Sequence, residues 1–540
     1  MKISKSLIPA FCAALAASPL GLAQSPSPTP AIPRIIVDTS AEPIAPGKFQ
    51  PTWESLSQYQ TPEWFRNAKF GIWAHWGPQC EPEDGDWYAR NMYIQGTPQY
   101  NSHLVHYGHP SKSGFKDIIH QWKAQNFDPE KLVALYKRAG AQYFVALADH
   151  HDNFDLWDSK YQPWNAVKIG PQKDLIAGWA KAARDNGLPF GVSVHASHAW
   201  SWYEPAQGAD KTGPYAGIPY DGKLTKNDGQ GLWWNGLDPQ DLYAQNHPPG
   251  RQLVWDWNAS KGSSIPNAAY CDKFYNRVAD LIHQYHPDLI YFDDTVLPLW
   301  PISDAGLKLA ADYYNTNMKL HGGKLEGVMF GKQLNASQRK CMVLDIERKR
   351  SSQIEPLPWQ TDTCIGDWHY QRSLFEHHSY KSAKSVIQML ADIVSKNGNL
   401  LLSIPVRADG TIDSDELAIV QNIGKWMDVN KESIFGTRPW KVFGEGPDTG
   451  NYSPRTADDI RFTTRGNVLY AIALGVPSQP LHIASLGAHS KLLDGKIAGI
   501  ALLGDSSPVK WTQGDDALSI DPPRTPPATD YATVYKITLQ

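Results

Sequence analysis

Between about residues 50 and 435 the chain repeats one pattern: a short run of β-branched or aromatic residues, then an amphipathic helical stretch, then another run. Strands that alternate with helices pair in parallel, because each helix must cross back over the sheet before the next strand begins. The strand candidates are 69–75, 142–149, 189–195, 288–293, 326–330, 341–346 and 399–404. Helices are expected between them. The stretch 270–286 sets Phe274, Val278, Leu281, Ile282 and Tyr285 on one face, and 174–186 does the same with Ile176, Trp179, Ala180 and Ala183. Asp413 with Glu416 reads as a capping box opening a last helix that turns Leu417, Val420, Ile423 and Trp426 inward. Seven strands over nearly 400 residues, with no Gly-rich phosphate loop after the first, fit a (β/α)8-like, TIM-type barrel better than an open doubly wound sheet.

The barrel domain is expected over 49–436. After Gly436 the pattern changes to short alternating strands, at 460–464, 467–473, 509–512 and 532–538, which predicts a C-terminal antiparallel β-sandwich over 437–540. Residues 203–268 interrupt the barrel with a Gly-, Pro- and Trp-rich insertion without periodicity. Its Trp233, Trp234, Tyr243, Trp255 and Trp257 are candidates for contact with a leaving group. At the N-terminus, Lys2 and Lys5 precede a short apolar run and small residues at Gly21 and Ala23, the pattern of a cleavable secretory signal over 1–23. The Pro- and Ser-rich residues 24–48 are expected to form a flexible leader. A secreted or periplasmic protein is the expectation, with no span long enough for a membrane.

In a barrel the active site collects at the C-terminal ends of the strands. Polar residues do collect there: His75 after the first strand, His150, His151 and Asp152 after the second, His195 and His198 after the third, Asp293 and Asp294 after the fourth, and Asp345 and Glu347 after a later one. One histidine at a strand end is usually a structural hydrogen-bonder; five strand ends in one pattern point to a site. Paired carboxylates among histidines and aromatics suit glycoside hydrolysis, in which one carboxylate attacks the anomeric carbon and the other moves a proton. With 21 Trp and 24 Tyr the chain has ample flat apolar surface for the C–H faces of sugar rings, although most aromatics in a large domain fill its core. A metal hydrolase of the amidohydrolase kind needs HxH on the first strand, where this chain has a single His75 followed by Trp76. No metal or cofactor is therefore expected. The net charge of −4 without a basic cluster argues against nucleic acid as a partner. Cys80, Cys271, Cys341 and Cys364 lack CxxC spacing, which leaves three possible pairings or none.

WFRNAKFGIWAHWG (64–77), DWYARNMY (86–93), DHHDNFDLWDSKYQPWNA (149–166), LIYFDD (289–294) and PWQTDTCIGDWHY (358–370), with SKNGNLLLSIP (395–405) and ESIFGTRPW (432–440), resemble the α-L-fucosidases of glycoside hydrolase family 29. The resemblance covers nearly the whole chain after the signal, in order. It implies a retaining exo-hydrolase of terminal α-L-fucose, acting on a fucosylated oligosaccharide or glycoconjugate. It implies Asp293 as nucleophile. His75, His150, His151 and Trp87 match the family's sugar-holding residues, with Tyr291 of the nucleophile motif and His195, at a position that is Tyr or His in relatives, added to them. Asp294 stands where Gly is common and is expected to be a loop hydrogen-bonder, and Asp86 stands where Glu is frequent. For the acid/base, Glu347 is preferred on its spacing to Trp359, with Glu355 as the alternative. It is expected in a partly apolar surrounding that favours its protonated form. The sugar-contacting Arg of some relatives has no clean counterpart, and Lys332 or Arg348 stand as substitutes. A non-catalytic fucose-binding protein, or a glycosidase for another fucose-configured sugar such as L-galactose, are the other readings left open.

Overall fold

A computed structural model describes residues 34–447 and 455–540. The expected signal, 1–23, and the start of the leader, 24–33, lie outside the described residues. Eight parallel strands close into a barrel: β1 (Phe70–Ala74), β2 (Tyr143–Asp149), β3 (Phe190–Val194), β4 (Leu289–Phe292), β5 (Val328–Gly331), β6 (Val343–Asp345), β7 (Trp359–Cys364) and β8 (Gly398–Ser403). The ring is sealed where Phe70–Trp73 pairs with Leu400–Ser403. β2 is buried along its whole length, as a strand covered by helices outside and by facing strands inside must be. Gly71 has a steric reason: a Cβ there would sit 2.3 Å from the Tyr143 ring, whose hydroxyl crosses the interior to donate to Gln360 Oε1 at 2.9 Å.

The helices follow the periodicity. Asn267 caps Ala268–Tyr285 by accepting from the Tyr270 N–H, and Asp174 caps Leu175–Asp185 by accepting from the Ala177 N–H. Asp413 and Glu416 form the reciprocal box at the start of Ser414–Asn430. Val420, Ile423 and Trp426 are buried there, but Leu417 is 37% exposed and is not part of the inward face.

Two further expectations are corrected. The eighth strand, β7, was hidden because its sequence, WQTDTC, is polar: Gln360 and Asp362 point into the barrel, where buried polar groups satisfy each other instead of packing apolar side chains. The described part of the leader, 34–48, is docked rather than flexible. The Ile35 N–H donates to the Ile302 carbonyl, Val37 N–H to Asp304, Ala45 N–H to Asp312 and Phe49 N–H to Asn315. Buried acceptors at Ile302, Asp312 and Asn315, with half-buried Asp304, supply along the segment and at its junction with Phe49 the ordering that the leader's own composition lacks.

After the barrel, β9 (Arg438–Glu445), β10 (Ile460–Arg465), β11 (Val468–Ala473), β13 (Ile497–Leu502) and β16 (Thr533–Leu539) form one antiparallel sheet, and β12 (Leu481–Ile483), β14 (Trp511–Gln513) and β15 (Leu518–Ile520) a second. Phe462, Leu469 and Ile537 of the first pack with Leu481, Ile483, Leu518 and Ile520 of the second in one apolar cluster, a two-sheet sandwich. All four cysteines of the described residues are buried and unpaired. No helix among those residues is long and apolar enough to cross a membrane.

Candidate active site

A cavity of about 300 Å³ opens at the C-terminal end of the barrel. Its charged lining is Asp293, Asp294, Lys332, Glu347 and Asp362, and its walls include Trp73, Trp87, Trp255, Tyr291 and Trp368. His75, His150 and His195 complete the floor. They come from β1–β7 or the loops that follow these strands, which gives the side chains a rigid base.

Asp293 follows β4, and its backbone N–H donates to the Val194 carbonyl of β3. Its Oδ2 lies 3.1 Å from His151 Nε2 and 3.2 Å from His195 Nδ1, and its Oδ1 accepts from Lys332 Nζ at 2.5 Å. Burial alone would push this carboxyl up, but the Lys332 ammonium and the two imidazoles together outweigh it and hold Asp293 well below the usual carboxylate range. It is therefore ionised. Lys332, just past β5, donates also to Glu347 Oε2 at 2.6 Å. Burial works against its charge, yet Asp293, Asp362 and Glu347 keep it well above the ordinary ammonium value. The oxygens of Asp293 and Glu347 that share this ammonium cannot be farther apart than the sum of those two distances. That ceiling suits the roughly 5–5.5 Å of retaining glycosidases better than the roughly 6.5–9.5 Å that inverting enzymes need.

Gln79 fixes the state of His150. Its Oε1 accepts from the Ala89 N–H at 3.3 Å, which orients its amide so that Nε2 donates to His150 Nδ1 at 2.8 Å. The proton of His150 is left on Nε2, free for a ligand. His75 has no hydrogen-bond partner at either ring nitrogen within the described protein, although it is buried. Burial, then the neighbouring imidazoles, hold His75 and His150 neutral, and burial draws His195 down to about 4 despite Asp293. Neutral, underused imidazoles can both donate to and accept from hydroxyl groups. Trp87 adopts a left-handed backbone, φ 62°, which turns its ring over the cavity. Two buried triplets, His75–His150–His369 and His150–His151–His195, bring ring nitrogens within 4.8 Å of each other, a donor set that a borderline divalent ion such as zinc would accept.

The model of the family described as "Alpha-L-fucosidase" matches residues 36–432. The chain belongs to that family. It is 25% identical to the human tissue alpha-L-fucosidase over 515 residues, covering 91% of this chain and 92% of that one, and 25% identical to an alpha-L-fucosidase of Branchiostoma floridae over 470 residues, covering 86% and 89%. Among solved structures it is similar to the Thermotoga maritima alpha-fucosidase in complex with fucose, with a TM-score of 0.67 at 24% identity, covering 91% of this chain and all of the other. The barrel followed by antiparallel sheets is the shared fold.

Set against this fucosidase frame, the residues named from sequence divide clearly. Asp293, Glu347, His75, Trp87, His150, His195 and Tyr291 line one cavity, and His151 touches Asp293 from beneath. Asp294 is a loop hydrogen-bonder, accepting from Thr295 and Leu299 N–H groups and contacting His198 at 3.0 Å. Glu355 is turned away, accepting from Arg339 at 2.8 Å and from Ser351 at 2.7 Å. Of the two substitutes for the family Arg, Lys332 is in the cavity, whereas Arg348 pairs with Asp86 at 3.5 Å and lies over Trp368. The apolar surrounding expected around Glu347 is absent: its side chain is 41% exposed and its partner is an ammonium. Within the insertion only Trp255 lines the cavity. Trp234, Tyr243 and Trp257 are core residues, and Trp233 stacks on His120. Sequence reasoning missed Trp73, Asp362, Trp368 and His369. Three of these lie in PWQTDTCIGDWHY, a motif whose polar character concealed a strand.

Proposed function

We propose that this protein is an exported retaining exo-glycosidase that removes terminal α-L-fucose from fucosylated glycans. The observation that carries the reading is the pair Asp293 and Glu347, joined on one ammonium at the mouth of a single cavity. Asp293, ionised and held from three sides, attacks the anomeric carbon. The bond to the glycosidic oxygen breaks as Glu347 gives that oxygen its proton, and a fucosyl ester forms on Asp293. Water then enters, loses a proton to Glu347 and attacks the same carbon, which frees Asp293 and regenerates the acid. His75, His150 and His195 hold the sugar hydroxyls with Trp87 and Tyr291 against the ring, His151 orients the Asp293 carboxylate, and Lys332 supplies the positive charge that some relatives draw from Arg. None of these steps uses a metal or cofactor. Residues 1–23 support delivery to the periplasm or medium, with a mature chain beginning at Gln24.

The test is purified mature protein on an aryl α-L-fucoside, followed by proton NMR from the first seconds. Turnover with α-L-fucose as the first-formed anomer is expected. An inert protein, or β-L-fucose appearing first, would overturn the reading.

A further inference from the structure

The insertion reaches the cavity through one ring, Trp255, and the groups that hold this ring take no part in the double displacement. Among the described residues, every hydrogen bond and ion pair of residues 249–262 closes on the segment itself or on the adjoining Ser263. The Arg251 N–H donates to the Gly262 carbonyl at 2.9 Å, Gln252 Nε2 donates to the Lys261 carbonyl at 2.6 Å, and Lys261 pairs with Asp256 at 2.6 Å. The segment therefore grips the barrel by packing, with Leu253, Trp255 and Trp257. Both tryptophans close on a single imidazole. Trp257 lies parallel to His198, with 3° between the planes and 4.3 Å between the centroids, and Trp255 stands edge-on to it at 4.4 Å. Trp257 is 2% exposed and has φ 55°, a left-handed conformation that a bulky residue keeps only where its surroundings hold it.

His198 is itself fixed. It is fully buried in the turn after β3, and its Nε2–H donates to Asp294 Oδ1 at 3.0 Å, while Nδ1 has no partner. Hydrogen bonding therefore orients the ring through Asp294 alone and leaves both its faces and its far edge to packing. Asp294 is anchored in turn by the Thr295 and Leu299 N–H groups, at 2.6 and 3.1 Å. It follows Asp293 in the chain, so the attacking carboxylate and the support of both tryptophans are one peptide bond apart. Trp255 then stands 5.3 Å from His151 and 6.1 Å from Trp87 between centroids, half-buried in the cavity wall.

Resting on the fucosidase reading, we propose that His198, oriented by Asp294, is a positioning residue that seats Trp255 as the platform for the leaving-group sugar. An exo-hydrolase takes fucose into the closed end of the cavity, over the buried histidines, and the sugar that carried it lies toward the rim, where Trp255 and Glu347 remain accessible. The leaving group that fits is a neutral pyranose turning a face of C–H bonds to the indole, since that face is apolar while the hydroxyls stay in water. His198 acts on the sugar that departs and not on the fucose that is attacked.

The test compares fucosyl disaccharides of galactose and N-acetylglucosamine with an aryl α-L-fucoside, whose leaving group is no sugar. In His198→Gln, which loses the ring that both tryptophans pack on, the ratio of kcat/KM for the disaccharide to kcat/KM for the aryl fucoside falls about five- to tenfold, through the KM of the disaccharide. Trp257→Leu removes the stacked ring from the other side and lowers the same ratio, which keeps the test open if His198→Gln does not fold. Combining His198→Gln with Trp255→Ala lowers the ratio no further than Trp255→Ala alone, because a platform already unseated is not lost twice. Limited trypsin digestion reads the seat without turnover: cleavage after Arg251 or Lys261 is at least about threefold faster in His198→Gln. Equal losses on the two substrate classes, losses that multiply in the double variant, unchanged cleavage, or a wild type that turns over the aryl fucoside and neither disaccharide would overturn the proposal. A wild type inert on the aryl fucoside would instead strike at the function reading.

Discussion

Among single residues, the choice between Glu347 and Glu355 shows how geometry decides what spacing leaves open. Both precede the same Trp359 and both are acids of one loop, but one ends on Lys332 in the cavity and the other on Arg339 and Ser351 outside it. Glu347→Ala is expected to lower kcat/KM by about 10² to 10⁴ for oligosaccharides and far less for aryl fucosides with good leaving groups, since general acid help matters only where the leaving group needs it. Glu355→Gln should leave both rates near wild type and cost about 1–2 kcal/mol of stability through the weakened charged hydrogen bonds to Arg339, read by urea unfolding. The reverse pattern would reassign the acid. The place of Asp293 at a strand end was legible in the sequence because a short aromatic strand ending in an acid needs little context, and its part as nucleophile came from the resemblance to the family 29 fucosidases. Lys332 and Asp362 were less so. Their meaning lies in which charges surround them, and residues 30 to 70 positions apart meet only because the barrel closes.

Among elements, apolar runs gave away the barrel strands wherever burial meant hydrocarbon. The method failed at β7, where burial means hydrogen bonds among Gln360, Asp345, Tyr143, Asp362 and Tyr291. A strand that carries the polar floor of a site loses the apolar signature by which strands are found. The insertion shows the opposite bias. Its aromatics looked like a platform for the leaving group, yet most of them fold the insertion onto the barrel, and Trp255 alone reaches the cavity. Trp255 lies edge-on to His198 at 4.4 Å between centroids and near Trp87 at 6.1 Å, so it forms the rim rather than the floor. Trp255→Ala should raise KM for fucosylated oligosaccharides about five- to tenfold, the worth of one stacked ring, with kcat changed little. Trp233→Ala should change neither. Equal effects of the two would mean that the insertion acts as a whole and not through one ring.

Across the whole molecule, the cavity's neutral histidines make stability depend on pH. His75, His150, His151 and His195 are all drawn below the ordinary histidine value by burial, His195 to about 4. As pH falls through about 6.5 the unfolded chain binds protons that the folded chain refuses, so stability drops until the folded values are reached. Asp293, held below its unfolded value, adds a loss of the same sign below about pH 4. Urea midpoints should therefore fall steadily from pH 7 to pH 4, with His195→Asn flattening the slope by up to about 3 kcal/mol over that range. A flat profile in the wild type would mean that these rings take up protons in the folded state as readily as in the unfolded chain. The family frame explains the overall plan of barrel and sandwich, and within it side-chain contacts hold the segment 34–48 and the Lys332 centre in place.

The central claim is that Asp293 forms a covalent bond to fucose, and one variant tests it most directly. Asp293→Gly keeps the pocket and removes the attacking oxygen, so turnover of an aryl α-L-fucoside should fall by at least about 10³-fold. Adding azide, small enough for the space left by the carboxylate, should restore turnover and yield β-L-fucosyl azide, since attack comes from the face that Asp293 occupied. Wild-type activity in Asp293→Gly, or rescue that gives the α-azide, would contradict the account.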